Sequence, residues 1–499
     1  MKSLYLSLHF LMLLAATSSF AQTGNILFSD ATFHEIRFEN IDTSTFFTYA
    51  NKGVYAQAKI TIDGIVMDSI GVTTKGNISW GHINNKKPLK INLNKYVSGK
   101  KYDGIKKFYL HNSYQDPSLM REKLTYDICK QMGLHSLRAA FAKVYINNVY
   151  WGVYTLLEAK DELYKRGFNN KDAEVFETLD FGSPCVYNQS IPYWTVDNGN
   201  PTSTWPQLLK MTTILGTTPS IQYLDTVTKY FNLNDFLKYQ AINVYLLNFD
   251  SYLQFNGNQL YLFDSIFEKR MQIIPWDFNA SFGLWNTNNY DPNTLDIIPS
   301  LISNKCPFDK INTIPQLKNI YLDAMCSLKN TYCDTTTLNN KITNFYNQIK
   351  TATYTDTKKE PTNTQFDNGA GYGYQNYLGE NSPGLKTFVR ERWVKINADL
   401  QNLPYTCSTT GINLVEQNSN SLLVYPNPFS FSITLHTDNL LSNATLTVIN
   451  SFGQTVKELK NISGQTVTLF RENLPSGLYF ILLTEDNKII STEKLLVAD

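Results

Sequence analysis

Apolar and polar residues alternate with a period of two through most of the first third of the chain. VYAQAKITIDG (54–64), IGVTTKGN (70–77), KPLKINLNKY (87–96), AAFAKVYINN (139–148) and YWGVYTLLE (150–158) read as strands, because successive side chains of a strand face opposite sides of a sheet. One helical stretch interrupts them, DPSLMREKLTYDICKQMG (116–133). Asp116 is placed to cap it, Pro117 sits in its first turn and Gly133 stops it. From about residue 204 the period lengthens to that of a helix, as in LNDFLKYQAINVYLLNF (233–249) and KTFVRERWVKINADL (386–400). Between these two, QLYLF and RMQIIPW joined by DSIFEK predict a β-hairpin. The segment 353–384 reads as a long, flexible surface loop in reach of a substrate. Its GAGYG (369–373) follows no strand and lacks the spacing of a phosphate loop.

The pattern changes again near the end. CSTTGINLVEQNSNSLL (407–423) is polar and turn-rich, as a linker is, and beyond it short alternating strands are separated by Asn, Gly and Ser turns. That is the pattern of a small β-sandwich. The reading is therefore an α+β domain over 22–405, a linker over 406–421 and an all-β sandwich over 422–499. A secretory leader precedes them over 1–21: Lys2, an apolar run from Leu4 to Leu14, and a small-residue cleavage site ending at Ala21. That run is shorter than the ~20 residues that cross a bilayer. No later segment qualifies, so an exported chain with no transmembrane segment is expected.

Composition narrows the partners. With 44 Lys+Arg against 43 Asp+Glu, no basic excess marks a nucleic-acid-binding surface. Six cysteines in an exported chain permit disulfides, though their spacing does not fix the pairing. Cys326 and Cys333 are near enough in sequence to close a small loop.

The candidate chemistry is acidic and amide-rich. No HExxH zinc helix or GxSxG nucleophile elbow is present. Instead IPWDFNASFG (274–283) carries Asp277 between Trp276 and Phe278, where an unpartnered charge is too costly to bury. Upstream, LNFDSYLQFNGNQLYLF (247–263) supplies Asp250, Asn256 and Asn258 ahead of the hairpin that delivers Asp277. Two carboxylates and an amide at element ends suit a Mg²⁺–nucleotide site, because Mg²⁺ prefers oxygen ligands and phosphates complete its shell. The order also follows protein kinases: catalytic Asp, Asn, hairpin, metal-binding Asp. Asp250 to Asn258 is longer than the roughly five residues of that loop. KKPLKINL (86–93) offers Lys86, Lys87 and Lys90 to reach the phosphates, Lys90 lying deepest in its strand. Glu122, early on the following helix, is the expected ion-pair partner of Lys90. Glu158, at the end of GVYTLLE, is expected where two lobes meet.

With that order in view, the stretch from about 59 to 403 resembles the CotH family of atypical kinases. The matching pieces are KGNISW (75–80), KKPLKINL, DPSLMREKLTYDI (116–128), VYINNVYWGVYTLLE (144–158), the Asp250 segment and IIPWDFNASFG. The family usually has Arg-Gly-Asn-Ser where Lys75-Gly76-Asn77 stands, and a second Asp where Asn279 stands. Asn279 offers an oxygen ligand but no charge. The resemblance implies a two-lobed kinase-like fold and ATP- and Mg²⁺-dependent phosphoryl transfer to surface or secreted proteins. Asp250, Lys90 and Glu122 are then catalytic; Lys90, Lys87 and Glu158 contact the nucleotide; Asp277, Asn258 and Asn279 hold the metal. An inactive kinase-fold surface protein, acting in adhesion or matrix assembly, is the alternative. A glycoside hydrolase would need Asp250 and Asp277 paired across a cleft, which leaves the lysine strand without a purpose.

The tail resembles the C-terminal sorting domain of type IX secretion cargo in Bacteroidetes. YPNPF (425–429), Gly453-Gln454, LPSGLYFILL (474–483) and KLLV (494–497) carry the likeness. It implies the type IX machinery as a partner and a secreted or cell-surface location.

Overall fold

A computed structural model of the chain describes residues 23–498 apart from 82–85, 179–182, 187–193, 200–204, 254–258, 285–293, 303–304, 378–379, 408–422, 426, 428, 451–453 and 486–487. The expected leader, most of the expected linker, and Asn256 and Asn258 lie outside the described residues. The chain divides into two compact units, up to Cys407 and from Ser408 onward. Cys407 belongs to the first because it is disulfide-bonded to Cys326.

The alternating stretches of the first unit do more than form a sheet; they close into a barrel. Its strands are β1 (Phe33–Glu39), β2 (Ala56–Ile62), β3 (Ile65–Thr74), β4 (Leu89–Asn92), β5 (Lys107–His111), β6 (Ala139–Ile146) and β7 (Val149–Glu158). Their order is β1-β2-β3-β4-β5-β7-β6, and the parallel pairing of β6 with β1 completes the ring. One side-chain set fills the interior, including Phe38, Ile60, Val72, Leu89, Ile91 and Leu110, all 0% exposed. Because the period is two, Lys90 between Leu89 and Ile91 points out of the barrel, in register with Thr73 and Tyr109. Closure removes the sheet edges that would otherwise need covering.

The predicted helix after β5 forms as Arg121–Gln131, five residues later than its expected start. Asp116 turns its carboxylate back onto the backbone N–H groups of Ser118 and Arg121, both at 2.9 Å, and pairs with the Arg121 guanidinium at 2.6 Å. That Asp-Pro-Ser turn takes the place of the first helical turn. Gly133 ends the element with φ of +78°, as expected of a helix-stopping glycine.

A second core packs on the outside of the barrel. It contains Tyr109 and Leu157 from the barrel wall and extends over the rest of the unit. A four-stranded sheet of β8 (Val175–Thr178), β9 (Trp194–Asn198), β10 (Leu260–Asp264) and β11 (Arg270–Ile274) runs β11-β10-β8-β9. The β10–β11 hairpin is the one predicted, with Leu260 opposite Ile274. Around it lie helices Leu233–Tyr245, Pro315–Ser327, Thr335–Thr355 and Leu385–Asn402. Helix Thr335–Thr355 is tied to the barrel through Asp356, which pairs with Lys86 at 2.6 Å, both side chains at most 1% exposed. A Cβ on Gly152 (φ +117°) would lie 2.2 Å from that carboxylate, so only glycine fits there.

Two expectations fail here. The segment 353–384 is not one flexible loop: it holds helix Asn363–Ala370 and the hairpin of β12 (Tyr374–Tyr377) and β13 (Glu380–Pro383). Thr362 and Gln365 form a reciprocal capping box at the start of that helix. The Arg121 guanidinium donates to the Pro383 carbonyl at 2.9 Å, which holds the hairpin against the earlier helix. The disulfides are Cys185–Cys306 and Cys326–Cys407, whereas Cys333 is buried and unpaired, as is Cys129. Cys326 sits near the end of one helix, and the π-helical turn Leu328–Tyr332 separates it from Cys333.

The second unit is all-β, with β14 (Leu423–Tyr425), β15 (Ser432–Asn450), β16 (Thr455–Phe470), β17 (Gly477–Glu485) and β18 (Lys488–Val497). Its strands are longer than the short ones expected. β15 pairs with β14, β16 and β17 in turn, with repeated register shifts against β16, so one connected sheet encloses the core of Ile433, Leu446, Val448, Ile481 and Leu495. Among the described residues no helix is long and apolar enough to cross a membrane.

Candidate functional site

The site lies where the outer face of the barrel meets the second core, and each contributor sits at an element end. Lys75 follows the last residue of β3, His111 is the last residue of β5, and Glu122 is in the first turn of helix Arg121–Gln131. Lys160 opens helix Lys160–Phe168 just after β7, and Asp277 follows β11. Element ends release side chains from the alternation of the strand, which is how groups from distant segments converge.

The polar contacts form a chain. Lys75 Nζ lies 2.8 Å from His111 Nε2, and His111 Nδ1 lies 2.8 and 3.1 Å from the two Glu122 carboxylate oxygens. The Lys75 ammonium also stands over the rings of Tyr109 (4.4 Å) and Trp276 (5.4 Å). Lys160 approaches Trp276 from its own helix at 4.1 Å and pairs with Asp197 at 2.5 Å and Glu177 at 3.9 Å. Trp276 is thus flanked by two ammonium groups, an arrangement its π-face favours.

Charge in this cluster is not balanced pair by pair. Burial lowers the Lys75 ammonium to about 8, helped by repulsion from Lys160 and opposed by Glu122 and Asp277. Burial raises the Asp277 carboxyl, Glu122 raises it further, and His111, Lys75 and Lys160 pull the other way without prevailing. Among the described residues no hydrogen bond reaches the Asp277 carboxylate. Its backbone is strained as well, with φ of +59°; Leu247 (+47°) and Phe282 (+58°) share that left-handed conformation nearby in sequence. Such conformations are costly for residues with side chains and cluster at functional sites. Glu177 is likewise raised by burial.

The sequence-predicted residues divide on this geometry. Glu122 and Asp277 lie in the cluster. Lys90 does not pair with Glu122: its ammonium is lowered by burial and senses Asp161, Lys107 and Asp197, because the outward face of β4 carries it along the barrel wall. Glu122 takes His111 instead. Lys87 stands over Trp80 at 4.5 Å. Glu158 is fully buried between Arg138 (2.6 Å) and Arg166 (2.8 Å). Burial pushes its pKa up, but those two partners outweigh it and hold the carboxyl low. It is a structural clamp with no valence left for a nucleotide. Asp250 is partly exposed after helix Leu233–Tyr245, in a turn fixed by Asn248, whose N–H donates to the Asn243 carbonyl at 2.9 Å. Asn279 is partly buried beside Asp277 in sequence, and Asn258 lies outside the described residues. Residue-level reading missed the roles of Lys75, His111 and Lys160. Lys75 had a visible signal, its place at the end of a strand before a Gly-Asn turn; His111 and Lys160 had none. Among the described residues, no group of three His, Cys, Asp or Glu side chains is arranged to hold a metal ion by itself.

Comparison with known proteins follows the same division. The family model described as CotH kinase protein matches residues 72–395, and one described as secretion system C-terminal sorting domain matches 423–498. The chain is 28% identical over 210 residues to the inner spore coat protein H of Bacillus subtilis, covering 40% of this chain and 57% of that protein. It is 23% identical over 191 residues to invasin CotH7 of Rhizopus delemar, covering 36% of this chain and 31% of the invasin. The chain therefore spans less than two thirds of either curated relative. The sorting domain marks it for type IX secretion to the cell surface or extracellular space. With most of its first unit inside the match that begins at β3 and ends in the closing helix, this chain belongs to the CotH kinase protein family.

Proposed function

We infer that the protein is a secreted kinase-like enzyme that transfers the γ-phosphate of ATP to hydroxyl side chains of surface or secreted proteins. The observation that carries this reading is the convergence of Lys75, Glu122 (through His111), Lys160 and Asp277 at the junction of barrel and second core. In this reading the barrel and the helical region are the two lobes of a kinase-like fold.

The residues fit a magnesium-bound nucleotide. Ammonium groups gather around a carboxylate that burial and Glu122 disfavour, and a polyanion carrying a cation satisfies both signs of charge at once. Asp277 would hold the metal with the oxygen of Asn279, and Asn258 remains assigned with them from its place in the sequence. Mg²⁺ needs no self-sufficient protein cluster, because it keeps waters and phosphate oxygens in its shell. When bound, Mg²⁺–ATP supplies the transferable phosphoryl group. Lys75 and Lys160 then orient and neutralise phosphate oxygens, and Trp276 holds both ammonium groups in place. Asp250 orients or deprotonates the acceptor hydroxyl.

Asn279 supports a second reading, because it removes one negative charge from the metal site. In that reading the chain is an inactive kinase-fold surface protein for adhesion or matrix assembly. Calorimetric titration of the full chain with ATP, with and without Mg²⁺, separates the two. Mg²⁺-dependent binding together with ³²P transfer to a generic protein acceptor is expected; binding without transfer favours the inactive protein, and no binding removes the enzyme reading.

A further inference from the structure

In the cluster just described, Lys75 and Glu122 do not touch; an imidazole stands between them. An ammonium group has three donors and no acceptor, so the His111 Nε2 that lies 2.8 Å from Lys75 must offer its lone pair. The other ring nitrogen then carries the hydrogen and donates it to Glu122 at 2.8 Å. Only one of the two neutral tautomers satisfies both contacts. The doubly protonated ring would set an N–H against an ammonium group. The ring is held in plane from two sides. It stacks on Tyr109 at 5.9 Å and 17°, and Trp276 meets it edge-on at 6.3 Å and 78°. The histidine side chain is 17% exposed and that of Glu122 5%, so water competes poorly for either contact.

We propose that His111 is a positioning residue: locked by Glu122 as the Nδ1–H tautomer, it uses its Nε2 lone pair to aim the Lys75 ammonium into the site. Glu122 thus acts on the lysine at one remove, through the imidazole. The relay has a geometric reason. Lys75 leaves the barrel at the end of β3 and Glu122 sits on a helix beyond β5, and the ring at the end of β5 spans the gap. The inference rests on the nucleotide-site reading for its functional consequence, but not for its structural content.

Two measurements test it separately. The first needs no ligand: ¹⁵N spectra of the full-length protein labelled at its six histidines, with His111 assigned by its loss in the His111→Gln variant. The expected signature is a protonated Nδ1 and an unprotonated Nε2 for His111. The opposite tautomer overturns the relay, because Nε2–H cannot accept from an ammonium. The second compares nucleotide binding in His111→Phe and His111→Gln. Phe keeps the stacking on Tyr109 and Trp276 but neither hydrogen bond; Gln carries one donor and one acceptor at similar reach. His111→Phe is expected to weaken Mg²⁺–ATP binding roughly tenfold to hundredfold, the scale of a charge-assisted hydrogen bond, and His111→Gln to recover most of the loss. Equal binding by His111→Phe and the unaltered protein overturns the positioning role and leaves the nucleotide site standing. If the unaltered protein binds no nucleotide, the proposed function fails and the tautomer alone decides whether the relay exists.

Discussion

Two carboxylates on the barrel's outer boundary, Glu158 fully buried and Asp277 partly buried, have opposite fates. Glu158, at the end of β7, is enclosed by Arg138 and Arg166, and its oxygens accept from both guanidinium groups and from the Arg138 backbone N–H. Asp277, after β11, has lysines and a histidine near it yet takes no hydrogen bond from them, and burial leaves it raised. Both are acidic residues at or just past the end of a strand in apolar sequence, and neither neighbourhood names the partners its carboxylate will find. What separates them is completeness: a carboxylate with all its valence used holds the fold together, and one left short of partners is available to a ligand. The difference decides which mutations should unfold the protein and which should only silence it.

The sharpest break of the comparison is Glu158→Gln. Removing the charge leaves two partly buried guanidinium groups facing a neutral amide, whose NH₂ is set against the N–H donors that one of the two carboxylate oxygens now accepts. Breaking a buried pair in this way typically costs about 3–5 kcal/mol. The measurement is urea unfolding of the variant, and a midpoint within error of the parent would show that Glu158 is not the clamp described. Its linkage runs in the usual carboxylate direction. The folded carboxyl is held below its unfolded value, so this stabilisation is present at neutral pH and fades as acid carries the solution down through the folded value. The variant should therefore lose the acid limb that Glu158 contributes.

Next in size is Lys75→Met, which keeps the apolar stem over Tyr109 and Trp276 and deletes the charge. A charged donor aimed at a transferring group is worth about 10²–10³ in rate, so phosphoryl transfer should fall by that factor while the melting temperature holds or rises. The parent should also lose nucleotide affinity as pH climbs past about 8, where the partly buried ammonium gives up its proton. The stability linkage has the opposite sign to that loss. The ammonium is depressed below its unfolded range, so its charged form burdens the fold below about 8 and relief comes above it. Binding and stability moving together across that pH would contradict the assignment.

Asp277→Asn should have a smaller effect on the fold, and in the favourable direction. It removes a disfavoured charge and places at φ +59° a residue that tolerates the left-handed region. A gain on the order of 1 kcal/mol, or about 2–4 °C, is expected at neutral pH. The carboxyl is raised in the folded state, so its cost is absent in acid and appears as pH rises through its titration. The advantage of Asn should therefore vanish toward low pH. Mg²⁺-dependent nucleotide binding should weaken by roughly ten- to hundredfold. A destabilised Asp277→Asn would place this residue in the same class as Glu158.

How far the sequence reaches can be judged on the same residues. Barrel strands β2, β3, β4, β6 and β7, the β10–β11 hairpin and helices Leu233–Tyr245 and Leu385–Asn402 are legible because their periodicity is local, whereas β1 and β5 are not among the strands the pattern predicts. Helix Asn363–Ala370 is not legible in that way: its Thr-x-x-Gln capping box lies in a run of turn-forming residues that reads as loop. Barrel closure was not legible: it depends on β1 meeting β6 across more than a hundred residues, and nothing in either strand names its partner. Asp277 announced itself by its neighbours. The partners of Glu122 and Glu158 did not, since His111, Arg138 and Arg166 are set by how helices and strands cross in space.

The smallest effect is expected where the sequence alone would have placed the largest. Lys90 sits in the middle of β4, and centrality in a strand made it the natural phosphate lysine. Strand parity points it outward beside Tyr109, but its register leaves it part-way along the wall, while Lys75 at the end of β3 reaches the cluster. Among the described residues it forms no ion pair, and its influence on Lys75 is repulsion at a distance. Lys90→Ala should therefore change stability by no more than about 0.5 kcal/mol. Any loss of nucleotide affinity should be about threefold or less and should shrink as salt rises, because a charge acting through solvent is screened over a Debye length of about 10 Å at 0.1 M ionic strength. The Lys75→Met loss, arising from a partly buried group held against Tyr109, Trp276 and His111, should largely persist in high salt. Titrating both variants at low and high ionic strength compares them directly. A salt-resistant loss in Lys90→Ala, with Lys75→Met binding normally, would return the phosphate-binding role to β4 and leave Lys75 as packing beneath Trp276.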